Sequence, residues 1–356
     1  MFFKLHSDPD DFLDTAFVDF LAGSEAKHVH LIRIASGLST ALAKHIRLPR
    51  PPLLVSGSPK GGHVQCAVVA ENHSSMLFLS ENAGTYAEEI FQFLYPTFQL
   101  RPPAIMGPQE EVIPFCDTWL RMYRESEQEM NPASANARSQ IHSTYSRWVL
   151  ERDEYRGVHP QVAPRPTSPV AASEQAAAGS PSPAVIITPA PIPSPAPTEP
   201  HARLATADDI DLVARWLAAF YAESRMAVPD ARGPAAKMIE GRTVMIWMDR
   251  VQDGGSGPVS PVSMAAFSDV HCLESITKRH AVASVNIGCI YTPPELRRRH
   301  FGLFCTSSLS EHVFGTLGMQ RVYVLADRLS PGAQAICRRV GMEDVATFAQ
   351  VTMTYG

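Results

Sequence analysis

The alternation of apolar and polar positions along the chain predicts two α/β segments around a stretch that predicts neither helix nor strand. In the first segment, "DPDDFLDTAFVDFLAG" places Phe12, Phe17, Phe20 and Leu21 near one helical face, and its opening aspartates suit a helix N-terminus. "HVHLIRIASGLSTALAKHI" has the same spacing and predicts a second helix. "HVQCAVVAE" and "SMLFLS" predict strands, "TYAEEIFQFLYPTF" a helix, "AIMGP" a short strand and "QEEVIPFCDTWLRMY" another helix. "IHSTYSRWVL" carries β-type residues and predicts the strand that leads out.

The second segment opens on Thr206-x-x-Asp209, the pattern of a capping box, followed by Ile210, Val213, Trp216, Leu217 and Phe220 at helical spacing. A short helix near Ala235–Ile239 follows. "TVMIWMDR" and "SPVSMAAFSD" flank the glycine-rich "VQDGGSGPV" and predict a hairpin. Then come strand "ASVNIGCIY", a helix over 302–317, strand "RVYVLAD", helix "PGAQAICRRVG" and closing strand "TFAQVTMTY". This order predicts a mixed sheet flanked by helices, with its central strand-to-helix crossover at 286–317.

Between the segments lie twelve of the thirty prolines, from Pro160 to Pro200. Proline removes backbone donors and fixes φ, so the stretch predicts an extended tether. No basic anchor flanks "PAPIPSPAP", which favours a spacer over a ligand for proline-binding modules. The expected organisation is an α/β domain over 1–155, a disordered Pro/Ala/Ser-rich linker over 156–201 and a second α/β domain over 202–356.

Composition changes this picture little. The chain is 45% hydrophobic and 19% charged, a globular balance, and its formal net charge of −5 gives no global reason to expect nucleic acid or an anionic membrane as partner. The six cysteines are scattered without metal-binding spacing, and most sit in apolar runs such as "VQCAVVA" and "NIGCIY". That usage predicts a reducing, cytoplasmic setting and no metal. The start "MFFKLHSDPDD" turns acidic at once, which predicts no secretory signal, and no apolar run approaches the ~20 residues that span a bilayer.

Local charge is more telling. "IYTPPELRRRHFGLF" ends a strand at Pro293-Pro294, places Arg297, Arg298 and Arg299 together, and opens a helix. Free N–H groups and the dipole at a helix start make an anion site, whereas arginines there oppose the dipole unless an anion is bound. Charge alone favours a solvated loop over an anion site.

These residues resemble the GNAT superfamily of acyl-CoA-dependent N-acyltransferases, in which a strand, [Arg/Gln]-x-x-Gly-x-[Gly/Ala] and a helix cradle the CoA pyrophosphate. Arg297 matches the leading basic residue and Gly302 the closing small one. The resemblance runs from Arg203 to Tyr355 through "WLAAFYAE", "PVSMAA" and "YVLADRLSPGAQAICRRVGME", and more faintly through 3–155, giving a two-domain form with a degenerate first half.

The resemblance implies acetyl-CoA as cosubstrate and an amine as acceptor. It implies cofactor contacts at Ile290, Tyr291, Thr292, Arg297, Arg298, Arg299, His300, Phe301, Gly302, Leu303, Ser330 and Gln334. His300 departs from the motif's central glycine: its Cβ crowds the phosphate or turns an N–H away, or else its imidazole replaces that contact. Cys337 stands where many members carry the tyrosine that protonates the departing thiolate, and is also readable as a packed core thiol. Asn286 stands where some members have a glutamate base and cannot serve as one. Glu223, His271 and Glu274 are the remaining candidates for a base. The alternative to an active enzyme is a GNAT-fold protein that binds CoA or a partner without turnover.

Overall fold

The computed structural model describes residues 1–16, 20–48, 50–130, 137–157, 199–224, 230–250, 258–272 and 283–355. The predicted tether, Glu274 and part of the glycine-rich turn lie outside these residues, as does the His271 side chain.

The first half runs β1 (Phe2–Leu5), α1 (Pro9–Ala16), α2 (Glu25–Ala43), β2 (Leu53–Ser58), β3 (Cys66–Ala70), β4 (Leu77–Leu79), α3 (Ala87–Phe98), β5 (Ala104–Pro108), α4 (Gln109–Met130) and β6 (Arg138–Glu151). The second half repeats that order: β7 (His201–Leu204), α5 (Ile210–Glu223), α6 (Arg232–Glu240), β8 (Val244–Arg250), β9 (Val259–Cys272), β10 (Ala283–Tyr291), α7 (Phe301–Gly315), β11 (Arg321–Asp327), α8 (Pro331–Val340) and β12 (Glu343–Thr354). Three strands escape the hydrophobic pattern. β1 and β7 are four-residue edge strands, too short to show alternation, and "LLVSGS" of β2 carries turn-type residues that its two neighbours override.

All twelve strands join one sheet in the order β1-β2-β3-β4-β5-β12-β6-β11-β10-β9-β8-β7. The pairs are antiparallel except β4 with β5 and β10 with β11. At the centre the halves exchange their last strands. β12 lies between β5 and β6, pairing Phe348 with Pro108 and with Tyr145, and β6 lies against β11, pairing Arg321 with Glu151. The proline-rich stretch thus lies between two halves of like element order that share one sheet.

Helices cover both faces. α1 and α2 pack on Leu54, Ala67 and Val69, and α5 and α6 on Ile246, Met264 and Ala266. α3 and α4 pack on Val68, Ile105 and Val351, and α7 and α8 on Val285, Val322 and Leu150. Ala349 faces the α3–α4 core and pairs with Thr144, which alternation places on the same side as Trp148 and Leu150 beneath α7 and α8. One face therefore carries α3, α4, α7 and α8, and the other carries α1, α2, α5 and α6. The N-terminus of α2 reaches across the junction. Glu25 accepts hydrogen bonds from Ser284 Oγ of β10 (2.8 Å) and an Arg321 Nη1 of β11 (2.7 Å).

The capping box takes the form the sequence predicts. Thr206 N–H donates to Asp209 Oδ2 at 2.8 Å, and Arg203 grips the same carboxylate with both terminal nitrogens, holding Asp209 below the ordinary carboxylate range.

Candidate functional site

The geometry of the second half turns on β10. It runs parallel to β11 only from Ser284 to Ile287, which pairs with Val324, while the remainder of β10 stays paired to β9 as far as Tyr291. The β9 register shifts at Asn286/Ile287 and again at Ile287/Cys289, skipping Gly288. This bulge inverts the alternation. Val285 and Ile287 face the α7–α8 core, whereas Cys289 and Tyr291 face the α5–α6 core. Beyond Ile287 the two parallel strands part, and Gly288 is exposed in the middle of a buried strand. The sequence carried a signal for this, since an isolated glycine within a strand pattern marks a bulge.

The gap between β10 and β11 opens beneath the start of α7. The first helical hydrogen bond there is Phe304 N–H to the His300 carbonyl at 3.0 Å, so the N–H groups of Phe301, Gly302 and Leu303 belong to a first turn without intrahelical acceptors. Gly302 is there for packing. A Cβ on it would meet Ile336 Cδ1 at 3.1 Å, Thr292 Oγ1 at 3.2 Å and Ile290 Cγ2 at 3.6 Å, so its absence lets α7 sit directly on the end of β10.

Arg298 and His300 both hold positive φ, +67° and +65°. A left-handed backbone is glycine's territory, and side-chain-bearing residues there store roughly 1–3 kcal/mol each. His300 holds this left-handed conformation as the residue before α7, and its ring lies 3.1 Å (Nδ1) from Arg339 Nη1. Arginine only donates, so the imidazole accepts in this contact. His300→Gly should relieve the strained φ and leave the Tm unchanged or higher by a few degrees; a thermal melt that falls by several degrees would show instead that the Arg339 contact outweighs the strain.

Arg297 turns away from the helix start. Its Nη2 donates to both carboxylate oxygens of Glu223 at 2.6 and 2.8 Å, its Nε donates to the Thr292 carbonyl at 2.9 Å, and its guanidinium lies 5.9 Å from the Tyr291 ring centroid. Two sequence-predicted residues, one read as a base and the other as a cofactor contact, thus bind each other and tie the end of α5 to the corner.

Ser330 and Gln334 follow β11, at the start of α8. Ser330 N–H donates to the Asp327 carbonyl at 3.0 Å, and Gln334 Nε2 approaches the same carbonyl at 3.5 Å. Cys337 is fully buried in the α7–α8 core, where desolvation pushes its thiol up to about 12. That environment suits a packing residue better than a proton donor. Burial likewise raises the thiols of Cys289 and Cys305.

The matching corner of the first half, between β4 and α3, is filled by the protein itself. Gly84 stands three residues before α3, as Arg298 stands before α7, and its N–H donates to Glu111 Oε2 at 2.8 Å. A Cβ at Gly84 would lie 2.7 Å from the Glu111 carbonyl oxygen. Glu81, Glu88 and Glu89 lie before and within the first turn of α3 and Glu110 in the first turn of α4, with Lys27 bonded to Glu81 and Arg121 to Glu88, whereas Arg297, Arg298 and Arg299 precede α7 and Arg297 is paired with Glu223. Among the described residues no cluster of His, Cys, Asp and Glu has metal-binding geometry, and no helix is long and apolar enough to cross a membrane.

No protein-family model matches the sequence, and no curated protein matches it either. Solved structures do. A Drosophila protein superposes with a TM-score of 0.52 over 99% of this chain and 98% of its own, at 10% identity. A GCN5-related N-acetyltransferase from Sphaerobacter thermophilus superposes with a TM-score of 0.50 over 99% of this chain and 95% of its own, at 12% identity. At such identities the likeness establishes the fold, which is that of the GNAT proteins, with a mixed sheet flanked by helices running through both halves.

Proposed function

We propose that this chain, which has the GNAT fold, is an acyl-CoA-dependent N-acyltransferase whose single acyl-CoA site lies in the second half. The observation that carries the reading is the bulge at Gly288, which parts β10 from β11 beneath an uncapped, arginine-flanked helix start. The first-turn N–H groups of Phe301, Gly302 and Leu303, with Arg298 and Arg299, suit a pyrophosphate. The pantetheine arm, on this reading, runs where β10 and β11 part after Ile287, toward Ser330 and Gln334 at the start of α8.

The chemistry asks for positioning above all. An amine nitrogen adds to the thioester carbonyl carbon, the carbon–sulfur bond breaks, and CoA leaves as its thiolate. Backbone N–H groups of β10 freed by the splay are suited to hold the developing oxyanion. The proton shed by the amine passes to water at the exposed Gly288, since Asn286 cannot accept it. Acetyl-CoA is the acyl donor this reading assigns, and the acceptor approaches from the α2–α5 face.

Titration with desulfo-CoA tests both the site and its number. One equivalent should bind per chain, and Arg298→Ala combined with Arg299→Ala should weaken binding by about tenfold or more. Two equivalents, or binding indifferent to both arginines, would overturn the assignment. The carboxylate of Glu111 at Gly84 is the reason for expecting one.

A further inference from the structure

Arg147 lies on β6, the strand that the first half lends to the second. It pairs with Leu325 of β11, one residue beyond Val324, where β11 last pairs with β10. From there its side chain crosses β11 on the α2 face. Nη1 donates to Asn286 Oδ1 on β10 at 3.3 Å, Nη2 lies 2.6 Å from His30 Nε2 on α2, and the guanidinium sits 5.0 Å from the Phe348 ring centroid. The guanidinium therefore sits on the α2 face, beside the point where β10 and β11 part.

This arginine is fully buried, yet neither partner is an anion, its Nε has no hydrogen-bond acceptor, and no described carboxylate forms an ion pair with it. Burial pushes its pKa down to about 9, with Arg33 contributing in the same direction and Tyr323 opposing. A buried charge without a counter-ion destabilises a fold, and an apolar residue of similar volume would pack the same space better. Packing alone gives no reason to keep it. A carboxylate supplies what is missing, because its two oxygens match the guanidinium fork. Toward solvent along β10 lie Asn286, which retains 8% exposure, and the exposed Gly288.

We propose that Arg147 anchors a carboxylate of the acceptor, so that the substrate class is an amine that also carries a carboxylate a few bonds away, such as an α-amino acid. This rests on the acyl-transfer reading and narrows it. It also makes the site composite, with the acyl-CoA corner supplied by the second half and the acceptor anchor by the first.

The test uses the full chain, acetyl-CoA and matched acceptors: phenylalanine with phenethylamine, and lysine with cadaverine, followed by thiol release. The carboxylate-bearing member should be favoured about tenfold or more in kcat/KM. Arg147→Met should bring that ratio near one and leave desulfo-CoA affinity unchanged. Asn286→Asp gives Arg147 an internal counter-ion, so it should raise the Tm and also abolish the preference, which keeps the test decisive if the methionine variant fails to fold. Equal rates in the wild type, or a preference surviving either variant, would overturn the proposal. If no amine in the panel is acetylated, the acyl-transfer reading falls, and the anchor is read by binding. Phenylalanine must then raise the wild-type Tm more than phenethylamine does, and lose that advantage in Asn286→Asp; equal shifts overturn it.

Discussion

Fragments 1–157 and 199–356 will each fail to fold alone and will recover a cooperative melt when mixed. The exchanged strands are the reason. Without β12 the first fragment has no strand between β5 and β6, and the Ala349, Val351 and Met353 side chains are missing from the core built by Phe115, Trp119 and Tyr123. Without β6 the second fragment exposes the β11 edge and loses Trp148 and Leu150 from beneath α7 and α8. Burying a large apolar side chain contributes roughly 1.5–3 kcal/mol, so either loss is comparable with the whole ~5–15 kcal/mol stability of a domain. Circular dichroism and thermal melts of each fragment and of the mixture are the measurement. A sharp, independent melt of either fragment would show that its sheet closes by itself.

The second large effect is at Gly302. Gly302→Val places a branched side chain against Ile336, Thr292 and Ile290, where even a single Cβ meets neighbours at 3.1–3.6 Å. Only the Ile336 tip gives way easily; Thr292 and Ile290 belong to the end of the strand. Overpacking of this kind costs about 1–3 kcal/mol and lifts the helix start off β10, so desulfo-CoA affinity should fall by about a hundredfold or more. Gly302→Ala should be milder. Its gain in helix propensity of about 1 kcal/mol offsets the contacts, and stability should change by less than about 1 kcal/mol. Equal affinity in the valine variant and the wild type would detach ligand binding from this corner.

Much of the fold was legible because its elements declare themselves locally. Val285, Ile287 and Cys289 mark β10 as a strand, and Trp216 and Leu217 mark the buried side of α5. The corner at Arg297–Gly302 was legible as a motif, although the motif could not say that Arg297 would turn to Glu223. What escaped depends on distant sequence. Nothing in "STYSRWVL" distinguishes Arg147 from a surface arginine, since its burial arises only when β6 leaves its own half and lies beside β11. Glu111 looks like an ordinary first-turn acid of α4 until the chain brings Gly84 to it. Gly288 was visible as an interruption in a strand, but its effect on the sides to which Cys289 and Ile290 point requires the β9 register.

The exchange of β6 and β12 also sets an order of events during synthesis. Roughly 190 residues separate the end of β6 at Glu151 from the start of β12 at Glu343. At ~5–20 residues per second, translation of that interval takes about 10–40 s, long compared with the millisecond-to-second folding of most small domains. Throughout it the emerging first half displays an unpaired β5 edge and an incomplete core. Slowing translation between the halves should therefore raise the aggregation of the nascent chain rather than its yield.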